Sequence, residues 1–160
     1  MHNSIAQVAD QFRLQTGVID RILDGIPEDQ VMIRPDNKAN SIHFILGHIT
    51  GTRYQIAQLL GEHAEFAHEA LFDRGVAIKD AAEYPPFSQV KAAWDTISLR
   101  MPQVLETATE EQLSGPAPFD PPGMEKNVRG LLSFMAFHES YHIGQISYVR
   151  RLLGHAGPFG

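Results

Sequence analysis

The stretch LLSFMAFHESYHIGQISYVRRLL, residues 131–153, has the pattern of a long amphipathic helix. Its apolar side chains recur every three or four residues, which is the spacing of one helix face. Two histidines stand in the middle of this face, and the complete stripe is Leu131, Met135, His138, His142, Ile146, Val149 and Leu153. Residues four apart on a helix lie one above the other, so the two imidazoles can bind one metal ion.

The same pair has a structural interpretation, in which both rings pack in the core and are satisfied by hydrogen bonds. Two buried imidazoles without partners would cost about 1–3 kcal/mol each, whereas a metal ion would satisfy both rings and hold them neutral. We therefore interpret His138 and His142 as metal ligands. A catalytic zinc site uses about three protein ligands and one water, so a third protein ligand is required.

Three further segments show helical periodicity, at residues 4–26, 41–60 and 88–108. Ser4 and Ser41 are the predicted N-caps of the first two, and Pro102 is expected to kink or split the third. Together with a helix at 127–153, these segments predict an all-α four-helix bundle that forms a single domain over residues 1–160. The predicted loops are 27–40, 62–87 and 114–126, and the long second loop indicates a crossover rather than simple up-down-up-down topology.

Composition excludes several functional classes. The chain has 160 residues and a net charge of −6 without a long run of Lys and Arg, which argues against a nucleic-acid partner. Because it contains no cysteine, it has no disulfide, no thiolate metal site and no cysteine nucleophile. No apolar run reaches membrane-spanning length and no signal peptide is visible, so a cytoplasmic protein without a membrane partner is expected.

Residues 138–142 also match H-E-x-x-H, the motif of zinc proteases. In one branch of these enzymes the motif continues with a glycine and a third histidine, but this chain has Gln145 and Tyr148 at those positions. In another branch the third ligand is a downstream glutamate, and no acidic residue follows Glu139. The protease interpretation therefore fails for want of a third ligand.

The third ligand is instead expected upstream. On a helical wheel of residues 41–60, His48 lies about 80° from the centre of the apolar stripe and His43 about 140° from it. His48 is therefore the predicted third ligand, and a hydrogen-bonded core histidine is the alternative.

Three side chains near the histidine pair are candidates for supporting roles. Glu139 is a candidate general base toward water at the metal, with a solvated glutamate on the helix flank as the alternative. Tyr141 either lines the cavity or packs. Gln145 either supports a ligand or is a polar residue at the end of the bundle.

The segments SIHFILGHIT (41–50) and HESYHIGQISYVRRLLG (138–154) together resemble the DinB-like (DinB/YfiT) superfamily. The resemblance covers most of the chain and includes the Pro-containing IRPDNKANSI (33–42) before the second helix and H-x-x-x-H-x-G-Q on the last. It implies an up-down-down-up bundle with one divalent metal ion held by His48, His138 and His142. It also implies a homodimer and an enzyme that acts on a small molecule, either a hydrolase or an S-transferase that uses a low-molecular-weight thiol.

Two classes of function compete at this point. One is an enzyme with an open three-histidine metal site. The other is a non-catalytic bundle whose metal would be closed off by a fourth protein ligand such as Glu139 or His43. A di-iron bundle is disfavoured because the apolar stripes hold almost no carboxylates. Zinc or nickel is the expected ion for three imidazoles, with iron, cobalt, copper and manganese as alternatives.

Overall fold

A computed structural model describes residues 5–159 of the chain. It contains five α-helices: α1 (Ala6–Leu23), α2 (Ile42–Leu59), α3 (Phe87–Thr107), the short α4 (Glu110–Ser114) and α5 (Val128–Leu152). Single 3-10 turns lie at Pro35–Asn37, Glu69–Leu71 and Ala81–Glu83. No helix among these residues has the length and apolar content that crossing a bilayer requires. The described chain has an isolated β-bridge but no strand, so the predicted all-α bundle of four long helices is confirmed.

Side-chain contacts show that α1 and α5 run in the same direction. Gln15 donates a hydrogen bond to the carbonyl oxygen of Ala136 at 2.7 Å. Further along both helices, Arg150 donates to the carbonyl oxygen of Ile22 at 2.6 Å. Arg150 thereby satisfies a carbonyl at the C-terminal end of α1, where helix geometry leaves such groups without partners.

The helices α2 and α3 also share a direction, opposite to that of α1. The rings of His43 and Phe87, at the starts of the two helices, have centroids 5.7 Å apart. The Nζ atom of Lys91, near the start of α3, lies 3.5 Å from Oδ1 of Asp20, near the end of α1. Because α1 packs against α3 and α5, and α2 packs against the same two helices, the order around the bundle is α1, α5, α2, α3. The predicted up-down-down-up topology is confirmed.

Side chains cap the starts of α2 and α5, and Ser41 is the predicted cap of α2. The hydroxyl of Ser41 accepts the N–H of Phe44 at 3.2 Å, and the side-chain oxygen of Asn127 accepts the N–H of Gly130 at 2.9 Å. Each cap satisfies a helix N-terminal N–H that has no partner within the helix. The other predicted cap, Ser4, lies outside the described residues.

Pro102 was expected to kink or split the third helix. Helix α3 continues through it, so the split is wrong, and the proline removes one hydrogen bond of the helix ladder. The short helix α4 was not predicted. Its signal is present in the sequence as a capping box, in which Thr109 accepts the N–H of Gln112 at 3.2 Å and Gln112 accepts that of Thr109 at 2.8 Å.

Gly47 lets the segment after α2 approach the helix closely. The ring of Phe72 is buried against α2, and a methyl group added at Gly47 would overlap that ring. Phe72 also stacks on Phe66, with ring centroids 5.8 Å apart. The crossover to α3 is therefore held against the face of α2 that carries His48.

We predict that Gly47→Ala lowers the free energy of unfolding by about 1–3 kcal/mol, because Phe72 must leave its packed position. The matched control is Gly17→Ala on α1, where the added methyl group meets no atom within 4 Å. Replacing this exposed helical glycine should raise stability by about 0.5–1 kcal/mol. Urea unfolding followed by circular dichroism measures both effects, and a Gly47→Ala variant as stable as the wild type would contradict the packing argument.

Candidate metal centre

Three histidine rings meet at the seam between α2 and α5. The Nε2 atom of His138 lies 3.2 Å from that of His48 and 3.0 Å from that of His142. The potential ligand atoms of all three residues lie within 4.8 Å of one another, and the three side chains are half-buried. The structure thus brings together the predicted trio from helices 90 residues apart in the chain.

Hydrogen bonds to the outer ring nitrogens orient two of the three rings. The Nδ1 atom of His48 is 2.8 Å from the carbonyl oxygen of Phe72, which can only accept. The Nδ1 atom of His142 is 2.7 Å from Oε1 of Gln145. Both Nδ1 atoms therefore carry the proton, and the Nε2 lone pairs point toward the meeting point of the rings.

The third ring, that of His138, is oriented by packing. Its Nδ1 atom is buried and has no hydrogen-bond partner among residues 5–159. The ring of Phe134 stacks against it with centroids 6.5 Å apart, and the ring of His142 lies edge-on at 4.4 Å. His138 thus has no neighbouring acceptor of the kind that fixes the tautomer of the other two rings.

The spacing of the rings fits a divalent cation. Metal–nitrogen bonds of about 2.0–2.1 Å in tetrahedral geometry place ligand nitrogens roughly 3.3 Å apart. The separations of 3.0 and 3.2 Å measured from His138 are close to that value. Two lone pairs aimed at each other across such distances repel unless a proton or a cation lies between them, so the donor set favours a metal ion.

Electrostatics keep two of the rings in the neutral form that binds metals. Burial lowers the pKa of His138 to about 4, with smaller contributions from His142, His48 and Arg74. Burial and the charge of His48 also lower the pKa of His142 to about 4, although its bond to Gln145 acts in the opposite direction. At neutral pH both imidazoles are therefore neutral, which is the form that binds a metal ion.

His43, the other histidine considered on α2, lies elsewhere in the fold. Its buried ring packs among Phe72, Tyr84 and Phe87, and its Nδ1 atom contacts the sulfur of Met32. Within the described chain, the only group of three or more potential metal ligands is His48, His138 and His142. Neither His43 nor an acidic side chain supplies a fourth ligand there.

Glu139 is directed away from the histidines, into the centre of the bundle. Its side chain is only 1% exposed, so the alternative of a solvated glutamate is wrong. Its two oxygens accept hydrogen bonds from Arg53, at 2.8 Å from Nε and 2.5 Å from Nη2. Burial raises the pKa of Glu139, while the charge and hydrogen bonds of Arg53 lower it.

The general-base role predicted for Glu139 finds no support in this geometry. A carboxylate that already accepts two charge-assisted hydrogen bonds must break one of them before it can take a proton from water. The sequence offered a signal for the partner, because Arg53 falls only about 50° from the centre of the apolar stripe of α2.

Gln145 and Tyr141 form a second layer on the solvent side of the site. Gln145 bonds His142 as described and donates through Nε2 to the Tyr141 hydroxyl at 3.2 Å, so it orients one ring of the histidine cluster. Tyr141 is 57% exposed, and its ring lies 5.3 Å from that of His142. The carbonyl of Phe72 completes this layer, and no feature of the sequence pointed to it.

A cleft of about 250 Å³ adjoins the histidines through Gln145. It is lined by Lys38, Ala39, Asn40, Ile45, Gln145, Tyr148 and Val149. A larger hollow of about 630 Å³ lies between residues 58 and 65, and none of the three histidines lines either cavity. The smaller cleft is the better candidate for a ligand site, because its lining includes a residue that also bonds one of the rings.

A family model described as the DinB superfamily matches residues 11–146. The chain belongs to the DinB superfamily. The resemblance found in the segments around His48 and His138 is therefore confirmed. A comparison with curated proteins gave no match.

The fold is also that of a DinB-like protein of known structure. YfiT from Bacillus subtilis superimposes with a TM-score of 0.64 over 94% of this chain and 87% of its own, at 14% sequence identity. It is described as "a probable metal-dependent hydrolase with an unusual four-helix bundle topology". At this level of identity the likeness establishes the DinB-like fold.

We predict that the metal-free protein loses stability as the pH falls from 6.5 toward 4. His138 and His142 have pKa values lowered to about 4, and burial lowers that of His43 to about 4 as well. In this window the unfolded chain takes up protons that the folded chain does not bind, so the free energy of unfolding decreases. Each such proton contributes about 1.4 kcal/mol per pH unit.

Urea unfolding in EDTA at several pH values between 5 and 6.5 measures this slope. The variant His43→Phe should have a slope smaller by about one proton, since it removes one of the three lowered pKa values. If the slope of the unfolding free energy against pH is the same in His43→Phe as in the wild type, the lowered pKa assigned to His43 is contradicted.

Proposed function

We propose that this DinB-superfamily protein binds one divalent metal ion through His48, His138 and His142 and acts as a metal-dependent enzyme on small molecules. The observation that carries the proposal is the convergence of three Nε2 atoms without a fourth protein ligand among the described residues. Catalytic metal sites leave a position open in this way, whereas structural zinc sites are closed by four protein ligands.

The surroundings of the site support a catalytic role over a structural one. The three rings are half-buried, and Tyr141 beside them is exposed, so a small molecule can approach. Neither candidate for a closing ligand is available to the metal site. Glu139 is bound by Arg53, and His43 is packed among aromatic rings. The description of YfiT as a probable metal-dependent hydrolase supports the same class.

A divalent cation held there would act as a Lewis acid that makes a thiol or water a nucleophile at neutral pH. The protein's own contribution is orientation. Phe72 and Gln145 hold the rings of His48 and His142 with their Nε2 lone pairs directed inward. The Tyr141 hydroxyl accepts from Gln145, so its own proton is free to be donated to a bound molecule.

Two reaction types fit this site, hydrolysis and thiol S-transfer. Hydrolysis is supported by the description of YfiT as a probable metal-dependent hydrolase. Thiol transfer has the support of the family resemblance and of a chain without cysteine, in which the reacting sulfur has to arrive with a small thiol. In that reaction the thiol loses its proton and its sulfur bonds to an electrophilic carbon, from which a leaving group departs or whose double bond takes up a proton.

We further propose zinc or nickel as the ion, with iron, cobalt, copper and manganese as alternatives, because imidazole is a ligand of intermediate softness. A small molecule, and in thiol transfer a low-molecular-weight thiol, is the proposed partner. We also propose a homodimer, which the family resemblance implies, and a cytoplasmic location, which the sequence itself led us to expect. The non-catalytic alternative, a bundle that only binds metal, is separated from these proposals by activity measurements.

The first experiment concerns metal binding. We predict that the wild-type chain, stripped with EDTA, binds one equivalent of Zn²⁺ or Ni²⁺ in calorimetry. His142→Ala should weaken the affinity by at least about 100-fold, since even partners outside the ligand shell contribute 10–100-fold. His63→Ala is the matched control because His63 is exposed and lies outside the trio, and it should bind as the wild type does. Equal affinities in the two variants would refute the metal site.

The second experiment separates catalysis from metal binding alone. Metal-loaded wild type is assayed for hydrolysis of activated esters and amides, and for conjugation of cysteine, glutathione and other thiols to 1-chloro-2,4-dinitrobenzene. We predict that one of these activities is present in the wild type and in His63→Ala, and that it falls at least about 100-fold in His142→Ala, since the ion supplies the activation. Activity retained in His142→Ala would remove the enzymatic proposal in this form.

A further inference from the structure

The centre of the bundle contains an arginine whose hydrogen-bonding capacity is fully used. Arg53 is 0% exposed, and its five N–H groups are matched by protein oxygen atoms. Two of these bonds go to Glu139. The other three go to the hydroxyls of Thr16 and Ser98, each at 2.8 Å, and to the carbonyl oxygen of Phe12 at 3.0 Å.

Arg53 is held from three helices at once. Phe12 and Thr16 lie on α1, Ser98 on α3 and Glu139 on α5. The guanidinium also lies over the ring of Trp94, 4.1 Å from its centroid, which adds a cation–π contact from α3. The position of Glu139 is thus defined relative to the whole bundle and not only relative to α2.

The same two helices that carry this ion pair carry the three histidines. Along α2, Arg53 follows His48 by five residues, a rise of about 7.5 Å. Along α5, Glu139 lies directly after His138 and three residues before His142. Each helix is rigid over so short a distance. The ion pair and the histidine cluster are therefore two points of contact between the same two helices, α2 and α5.

The ion pair and the histidine cluster place different requirements on the geometry of α2 and α5, which suggests that they have different roles. Metal ligation requires distances within about 0.2 Å of ideal values, while a helix that slides by one residue moves its side chains about 1.5 Å. Apolar packing tolerates such adjustments, whereas a bidentate guanidinium–carboxylate pair specifies both distance and angle. Buried ion pairs are also often replaceable by apolar residues without loss of stability, so stability alone does not account for one here.

We propose that Arg53 and Glu139 are positioning residues of the metal centre, which fix the height and rotation of α5 against α2 and hence the separation of His48 from His138 and His142. This inference rests on the proposed metal-binding function. It assigns Glu139 a role that requires no proton transfer, and it gives a function to Arg53, a charged residue within the apolar stripe of α2.

The test replaces the ion pair by apolar side chains of similar size, Arg53→Met with Glu139→Leu, and measures folding and metal binding separately. Folding is measured by urea unfolding of the EDTA-treated protein. The metal centre is probed with Co²⁺, whose visible spectrum reports coordination geometry and whose affinity is measured by titration. The matched control is Leu105→Ala, which replaces a buried side chain of α3. Leu105 follows Arg100, and Arg100 pairs with Glu62 beyond the end of α2. Leu105 therefore lies at the end of the bundle that is far from His48.

The expected result is that the double variant folds cooperatively but binds Co²⁺ at least about tenfold more weakly, with an altered visible spectrum. Leu105→Ala should lower the urea midpoint and leave Co²⁺ affinity within about twofold of the wild type, with an unchanged spectrum. A double variant that folds and keeps wild-type affinity and spectrum overturns the positioning role.

Two further outcomes are informative. If the double variant does not fold, Glu139→Gln takes its place, since the amide keeps the shape and one acceptor but loses the charge and the two-oxygen contact. Unchanged Co²⁺ affinity and spectrum in a folded Glu139→Gln variant would then overturn the inference. Failure of the wild type itself to bind Co²⁺, Zn²⁺ or Ni²⁺ would refute the proposed function, and the positioning role with it.

Discussion

The guanidinium of Arg53 carries a full positive charge at the centre of the bundle, where it has no exposed surface. A charge in that position is tolerated only if a counter-charge and acceptors for all its N–H groups are also present. Glu139 supplies the counter-charge, and acceptors from α1 and α3 supply the rest. The four long helices therefore meet in one polar network around Arg53, inside a mostly apolar core, and their relative heights have to satisfy it.

This ion pair gives two faces of α5 different environments, although the residues on those faces are neighbours in sequence. Glu139 is directed to the dry interior, while His138 and His142 face the seam with α2 and remain half-buried. The carboxylate closest in sequence to the histidines is consequently neutralised by Arg53 and does not contribute charge to the cluster. A cation bound there would keep its full charge on three neutral imidazoles, which is the condition under which it polarises a bound molecule most strongly.

The orientation of the histidine rings depends on packing as much as on charge. Gly47 allows Phe72 to lie against α2, and the carbonyl of Phe72 then reaches Nδ1 of His48. Gln145 performs the corresponding task for His142 from within α5 itself. One ring is thus oriented by a local contact within its own helix, and another by a loop 24 residues away in the chain. Such outer partners commonly determine how well a site of this kind holds its metal.

The sequence by itself determined the helices and the residues of the candidate centre. The periodic stripes, the cap at Ser41 and the spacing of His138 and His142 depend on local geometry, which repeats every 3.6 residues. The helical wheel and the family resemblance agreed on His48. The short helix α4 also has a local signal, the capping box formed by Thr109 and Gln112.

Tertiary structure alone decided the partners of these residues. The orientation of Glu139 toward Arg53, the carbonyl of Phe72 at His48 and the burial of His43 among aromatic rings all join residues distant in the chain. A wheel gives the angle of a side chain on its own helix, but not the height or rotation of the neighbouring helix that it meets. Those depend on the packing of the whole core, and so a glutamate expected near water at a metal ion proved to be the counter-charge of a buried arginine.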